Sequence, residues 1–265
     1  MYAFDYQRPA TRDAARSAAA GADVRYLAGG QSLVQAMRLR LSQSERLVDL
    51  GAIAELKQIR AETGGVTIGA MATHAAVARN ADVKRIAPAI AELAGGIGDP
   101  MVRNMGTIGG SLANADPAAC YAAGVLAFDA TIQTDRRTIA ADDFFTGLWE
   151  TALQPGELIT AVTFPQVQRA AYVKYKQPAS RFALVGVFVS QGAGGVRVAV
   201  TGAKSSVFRA APIEEALAKG FTPEAAKAVK MPTDGINSDM HGSAAYRAAM
   251  ISVMASRAVA AALAR

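Results

Sequence analysis

Two short segments carry residue types that could bind an anion. The first, Ala28-Gly29-Gly30-Gln31-Ser32, follows a strand-like run from Val24 to Leu27 and precedes a predicted helix from Leu33. Adjacent glycines lack a Cβ, so successive backbone N–H groups can turn toward one point as an anion nest. Ser32 is positioned to cap the helix, whose first turn adds unpaired N–H donors and a positive dipole end. The pattern fits a phosphate site; a tight strand-to-helix turn with nothing bound would use the same residues. The second segment, Gly106-Thr107-Ile108-Gly109-Gly110-Ser111, lies between Gly98-Asp99-Pro100-Met101-Val102-Arg103-Asn104 and Asn114, Asp116 and Pro117. Read as a glycine-rich loop, it adds amides, hydroxyls and a carboxamide suited to a pyrophosphate and a polyol. Two nests suit a diphosphate. Neither segment fits G-x-G-x-x-G or G-x-x-x-x-G-K-[ST], so the Rossmann and P-loop readings lose their sequence support.

Scarce residues narrow the chemistry further. Cys120 is the only cysteine, so the chain forms no internal disulfide and cannot alone hold an iron–sulfur cluster, which takes about four protein ligands. His74 and His241 are the only histidines and stand far apart without Cys or Glu at ligand spacing, so no metal site is expected. His74, after Thr73 at a helix start, reads as a first-turn residue rather than a catalytic base. Cys120, beside Tyr121-Ala122-Ala123, reads as a small buried hydrophobe. The net charge of +6 comes from 28 basic residues scattered among 22 acidic ones, with 6% aromatics and no interleaved basic run, so no nucleic-acid partner is expected. The longest stretch without charge, Thr63 to Ala78, contains His74 and several polar residues, so no membrane span is expected. Charges at Asp5, Arg8, Arg12, Asp13 and Arg16 argue against a signal peptide, and a cytoplasmic location is expected.

The elements that must hold these segments alternate between helix and strand, which points to an α/β or α+β architecture. Helices are predicted over Ala10 to Ala20, Ile53 to Ile59 and Pro88 to Leu93, the last ended by Gly95 and Gly96, with Thr73 as an N-cap. Strands are predicted over Arg46 to Leu50, Val66 to Ala70 and Leu158 to Phe164, and a hairpin over Thr131 to Ile139 turns at Asp135-Arg136. Beyond a boundary near residue 168, three strands are predicted over Tyr172 to Lys176, Ala183 to Ser190 and Val196 to Thr201. The last two are joined through Gly192, Gly194 and Gly195. Helices over Pro212 to Lys219, from Thr222-Pro223-Glu224, and over Ser243 to Ala264 complete the chain.

With these residues assembled, the chain resembles the FAD-binding medium subunit of molybdenum hydroxylases, the family of the carbon monoxide dehydrogenase flavoprotein subunit and the xanthine dehydrogenase flavin domain. Three blocks carry the likeness. The first joins Tyr6 to Pro9, Leu27 to Leu33 and Arg38-Leu39-Arg40. The second joins Ile68-Gly69-Ala70 to Thr73-His74. The third runs from Ile97-Gly98-Asp99-Pro100 through Val102-Arg103-Asn104 and Gly106 to Ser111, ending at Asp116-Pro117. Weaker similarity continues through Tyr172-Val173-Lys174, Arg181 and Tyr246-Arg247.

The resemblance implies an α+β, non-Rossmann FAD-binding fold of the vanillyl-alcohol oxidase/PCMH type. It comprises an FAD-binding domain over 1–168, with subdomains of about 1–55 and 56–168, and a C-terminal domain over 169–265 with a three-stranded sheet and helices. FAD would lie between the subdomains. Ala28, Gly29, Gly30, Gln31, Ser32 and Leu33, with Thr107, Ile108, Gly109, Gly110 and Ser111, would contact its pyrophosphate. Asn114 and Asp116 would lie beside the ribityl and flavin region, and Ile159 and Lys174 near the adenine or flavin edge. Cys120 stands where the family usually has an acidic residue that can hydrogen-bond FAD, and a thiol is a poorer acceptor.

The resemblance further implies an electron-transfer subunit of a heterotrimer, arranged as a dimer of heterotrimers. A large subunit would carry molybdopterin, a small one two 2Fe-2S clusters, and the FAD here would pass electrons to an external acceptor. Two other readings stand beside it: a self-sufficient FAD oxidase or reductase on the same fold, and a nucleotide-binding module without turnover.

Overall fold

The computed structural model describes all 265 residues. Its first sheet is parallel, ordered Asp5–Gln7, Arg46–Asp49, Val24–Leu27. Thr11 caps the helix Arg12–Ala18 by accepting from Ala14 N–H at 3.2 Å, and that helix buries Ala15 against Val48, Leu50, Ile53 and Leu56. The strand Asp5–Gln7 is absent from the sequence reading because its side chains are exposed and its pairing comes entirely from Arg46–Asp49. The helix predicted over Ile53 to Ile59 is instead two 3₁₀ turns, Leu50–Ala52 and Ala54–Lys57, broken by extended backbone at Ile53. Ile53 and Leu56 are buried, but Ile59 opens a strand.

The second sheet is antiparallel, with strands in the order Ile59–Glu62, Gly65–Gly69, Ile159–Pro165, Thr131–Thr134, Thr138–Ala140. The predicted hairpin turns at Asp135-Arg136. Six helices belong with this sheet: His74–Arg79, Ala81–Ile86, Pro88–Gly95, Pro100–Met105, Ile108–Asn114 and Cys120–Ala127. Side chains from them and from the sheet form the largest core, which includes Ile90, Leu93, Leu112, Tyr121, Phe128 and Phe164. A further small hairpin, Phe145–Gly147 with Glu150–Thr151, lies outside the sheet.

The third sheet runs Arg169–Lys176, Ala183–Gly192, Gly195–Thr201, Phe208–Arg209, so the expected three strands gain a two-residue fourth. Every residue from Ala183 to Ser190 is buried, because both faces are covered. Val185, Val187 and Val189 pack with the helices Ala211–Lys219, Pro223–Ala228 and Ala244–Leu263, whereas Phe188 joins the core around Cys120–Ala127. The seam is also polar: Ser190 Oγ donates to Ala127 O at 2.5 Å and Arg197 Nε to Leu126 O at 2.9 Å. Both acceptors are carbonyls in the last turn of Cys120–Ala127. No helix is long and apolar enough to cross a membrane.

Candidate functional site

A cavity of about 660 Å³ opens where the three sheets meet. This volume falls within the usual range for small-molecule sites. One wall is the turn after Val24–Leu27. Gly30 adopts φ +69°, which glycine tolerates, and the turn enters a six-residue helix, Leu33–Arg38. No backbone carbonyl takes the N–H groups of Gly29, Gly30, Gln31, Ser32 or Leu33, so this turn is a cradle of free donors beside the cavity. Ser32 does not cap the helix; its side chain makes no capping bond and its backbone is near-helical, at φ −113° and ψ −57°.

The second glycine segment differs from its loop reading. Asp99 Oδ1 accepts from Val102 N–H at 2.9 Å and Pro100 opens the helix Pro100–Met105. Thr107 then caps Ile108–Asn114 by accepting from Gly110 N–H at 3.1 Å. Three further amides of the segment are engaged, Ile108 N–H with Ala72 O at 3.2 Å, Gly109 N–H with Ala70 O at 2.8 Å and Ser111 N–H with Thr107 O at 3.0 Å. From Ile108 to Ser111 there is therefore no second nest. Its glycines serve close packing instead. A Cβ on Gly109 would fall 2.6 Å from Ala70 Cβ, and one on Gly110 would fall 3.2 Å from Ala28 Cβ. Gly29 meets this segment more tightly still, since its Cβ would lie 2.2 Å from Met105 O and 2.7 Å from Gly106 Cα. The two glycine segments are thus pressed together along one side of the cavity.

Ala28 to Leu33, Thr107, Gly109, Gly110, Ser111, Asn114, Asp116, Cys120, Ile159 and Lys174 all border the cavity. Ile108 does not; its side chain is fully buried in the core beneath. Asp116 accepts from Ala118 N–H at 2.8 Å, while burial raises its carboxyl above the ordinary range against that bond. The Pro117–Ala119 stretch is held from the third sheet. Thr201 Oγ1 donates to Pro117 O at 2.6 Å, and Gly202 N–H donates to the same carbonyl at 2.7 Å. Cys120 follows as the first helical residue, and Lys174 Nζ donates to its Sγ at 3.3 Å across 54 positions of sequence. The thiol is therefore buried yet serves as an acceptor. Burial, then the neighbouring Cys120, raises the Tyr172 hydroxyl well above its ordinary value.

Three wall features lie outside the expected set. Glu157 is a buried carboxylate brought to about 2, chiefly by Arg137, whose Nε donates to Oε1 at 3.0 Å and Nη2 to Oε2 at 3.0 Å. Burial, with the Arg103 guanidinium second, lowers the His74 imidazole to about 4. Ala179 to Phe182 add a segment from the third sheet in which Arg181 has φ +62°. Its signal is that Gln177 to Phe182 is a longer connection than the strands it joins require.

Residues 2–167 match the FAD binding domain in molybdopterin dehydrogenase. The chain belongs to that family. The carbon monoxide dehydrogenase medium chain of Afipia carboxidovorans is 37% identical over 287 residues, covering 99% of this chain and 97% of its own length. The nicotine 6-hydroxylase medium subunit of Paenarthrobacter nicotinovorans is 32% identical, covering 97% and 96%. Among solved structures, a chain of the Hydrogenophaga pseudoflava carbon monoxide dehydrogenase lacking its Mo-pyranopterin moiety superposes with a TM-score of 0.88 at 33% identity, covering 99% and 98%. The family's FAD fits this cavity by donor chemistry, because five residues whose amides have no backbone acceptor line a space that also presents Ser111, Asn114 and Asp116. The chain is an oxidoreductase subunit that binds FAD.

Proposed function

We propose that this chain is the electron-transfer flavoprotein of a heterotrimeric molybdenum hydroxylase. It would take electrons from the 2Fe-2S clusters of a small subunit and pass them to an external acceptor, with substrate oxidised on the large molybdopterin subunit. The observation that carries the reading is the free-amide cradle Gly29–Leu33 on a cavity of about 660 Å³ in a chain of this family. FAD, when bound, supplies the exchange of one and two electrons. The chain's own residues have simpler tasks. The Gly29–Leu33 amides receive the diphosphate, Ser111, Asn114 and Asp116 offer polar groups along the adjoining wall, and apolar Ile159 and Leu158 keep water from the interior.

Relatives of nearly full length belong to enzymes named for carbon monoxide, nicotine and glyceraldehyde. A fold shared over such different substrates supports substrate reading on another chain. With one cysteine, the clusters also fall to a partner. The proposal includes a dimer of heterotrimers and a cytoplasmic location. It also takes an FAD-binding domain over 1–168, in subdomains of about 1–55 and 56–168, and a C-terminal domain over 169–265.

The test is reconstitution. The isolated flavin-loaded chain is expected to show weak dye or oxidase activity at most, and substrate-dependent flavin reduction only after the molybdenum and iron–sulfur subunits are added. Full substrate turnover by the chain alone would replace the proposal with the self-sufficient flavoenzyme.

A further inference from the structure

His74 occupies an unusual position between the cavity and the core. It is 5% exposed, borders the cavity, and its Nδ1 is buried without a hydrogen-bond partner. A buried polar atom left unpaired carries a free-energy cost, so something other than hydrogen bonding holds the ring there. Shape does. On one side the ring packs against Tyr121, centroids 5.4 Å apart and planes inclined by 49°. On the other, its Nε2 and Cδ2 edge faces Gly106 so closely that a Cβ there would lie 2.5 Å from Nε2.

Gly106 is also the residue on which Gly29 rests, as a Cβ on Gly29 would come within 2.7 Å of Gly106 Cα. The His74 backbone N–H donates to Gly106 O at 2.9 Å, and Thr73 bridges Thr107. A continuous column therefore runs from Tyr121 through the His74 ring and Gly106 to Gly29, the first residue of the free-amide cradle. The core is close-packed, so removing the ring's edge from this contact leaves a gap that the column closes by shifting Gly106.

We propose that His74 is a positioning residue for the diphosphate site, its ring setting the height of Gly106 and so the placement of the Gly29–Leu33 amides. The inference rests on the FAD reading of the cavity. The imidazole acts through its flat, compact shape, and its buried Nδ1 has no polar partner in the chain.

The experiment compares wild type, His74→Ala and His74→Phe, by FAD titration and by phosphorus NMR of the bound diphosphate, with circular dichroism confirming the fold. His74→Ala is expected to weaken FAD by about tenfold or more and to move the phosphorus signals. His74→Phe, which restores a flat ring, is expected to return affinity to within about threefold of wild type. If His74→Ala does not fold, His74→Leu takes its place under the same thresholds. FAD affinity of the ring-less variant within about twofold of wild type, or a phenylalanine variant as weak as the ring-less one, overturns the inference while leaving the FAD reading intact. A folded wild type that binds no FAD overturns both.

Discussion

Gly29 has no room for a side chain, and the reason is the chain itself. Because a Cβ there would meet Met105 O at 2.2 Å, Gly29→Ala must push the two glycine segments apart. A cost of about 1 to 3 kcal/mol in urea denaturation, together with weaker FAD, is expected; unchanged stability and affinity would contradict the packing. Gly110 is helical, and what excludes a side chain there is close contact. Gly110→Val directs its branches at Thr107 Oγ1 and Ala28 Cβ, 2.9 and 3.2 Å from the added Cβ. FAD affinity should fall before stability does, read by titration beside thermal melting.

Acid sensitivity at the same scale divides between two residues. His74 has a native value near 4 against an ordinary 6.5, so the unfolded chain takes the proton first. Its contribution to stability is complete above pH 6.5 and falls as pH drops toward 4. Glu157, lowered from 4.5 to about 2, contributes above 4.5 and loses that contribution as pH falls toward 2. Denaturation midpoints between neutral and acid pH should therefore flatten in the upper window for His74→Phe and in the lower for Glu157→Gln. Identical pH profiles for both variants and wild type would contradict the assignments.

Among the elements, Thr107 holds the start of Ile108–Asn114 by one bond to Gly110 N–H. Thr107→Ala should cost about 1 kcal/mol in chemical denaturation, and Thr107→Ser should recover most of it; equal stability of all three would remove the cap. The caps show what was readable in the sequence. Thr73, Thr222 and Ser243 each precede a helix and each accept the bond their types predict. Asp99-Pro100 and Thr107 carried the same signals, yet the glycines around them read as loop. Helix there depends on tertiary partners, Ala70 O and Ala72 O, which receive the Gly109 and Ile108 amides. Gly29–Leu33 was legible as a donor cradle because its geometry is local. The engaged state of the Ile108 and Gly109 amides was not, since their acceptors lie nearly 40 residues away in sequence. Asp5–Gln7 was hidden for a related reason: three exposed residues show no periodicity, and their strand exists only through its partner.

Across the whole molecule, the third sheet reaches back to the cavity through buried polar bonds. Arg247 is 3% exposed, and its Nη1 donates to Leu184 O at 2.8 Å and Gly202 O at 2.9 Å while Nη2 pairs with Asp239 at 2.7 Å. Gly202 in turn holds Pro117, next to Asp116. The central claim is that this joined architecture encloses one noncovalent FAD. The most direct measurement is an FAD titration of the purified, folded chain followed by absorbance and mass analysis of what denaturation releases. The account predicts one FAD per chain, released intact. A folded chain that carries no flavin and takes up none would contradict it.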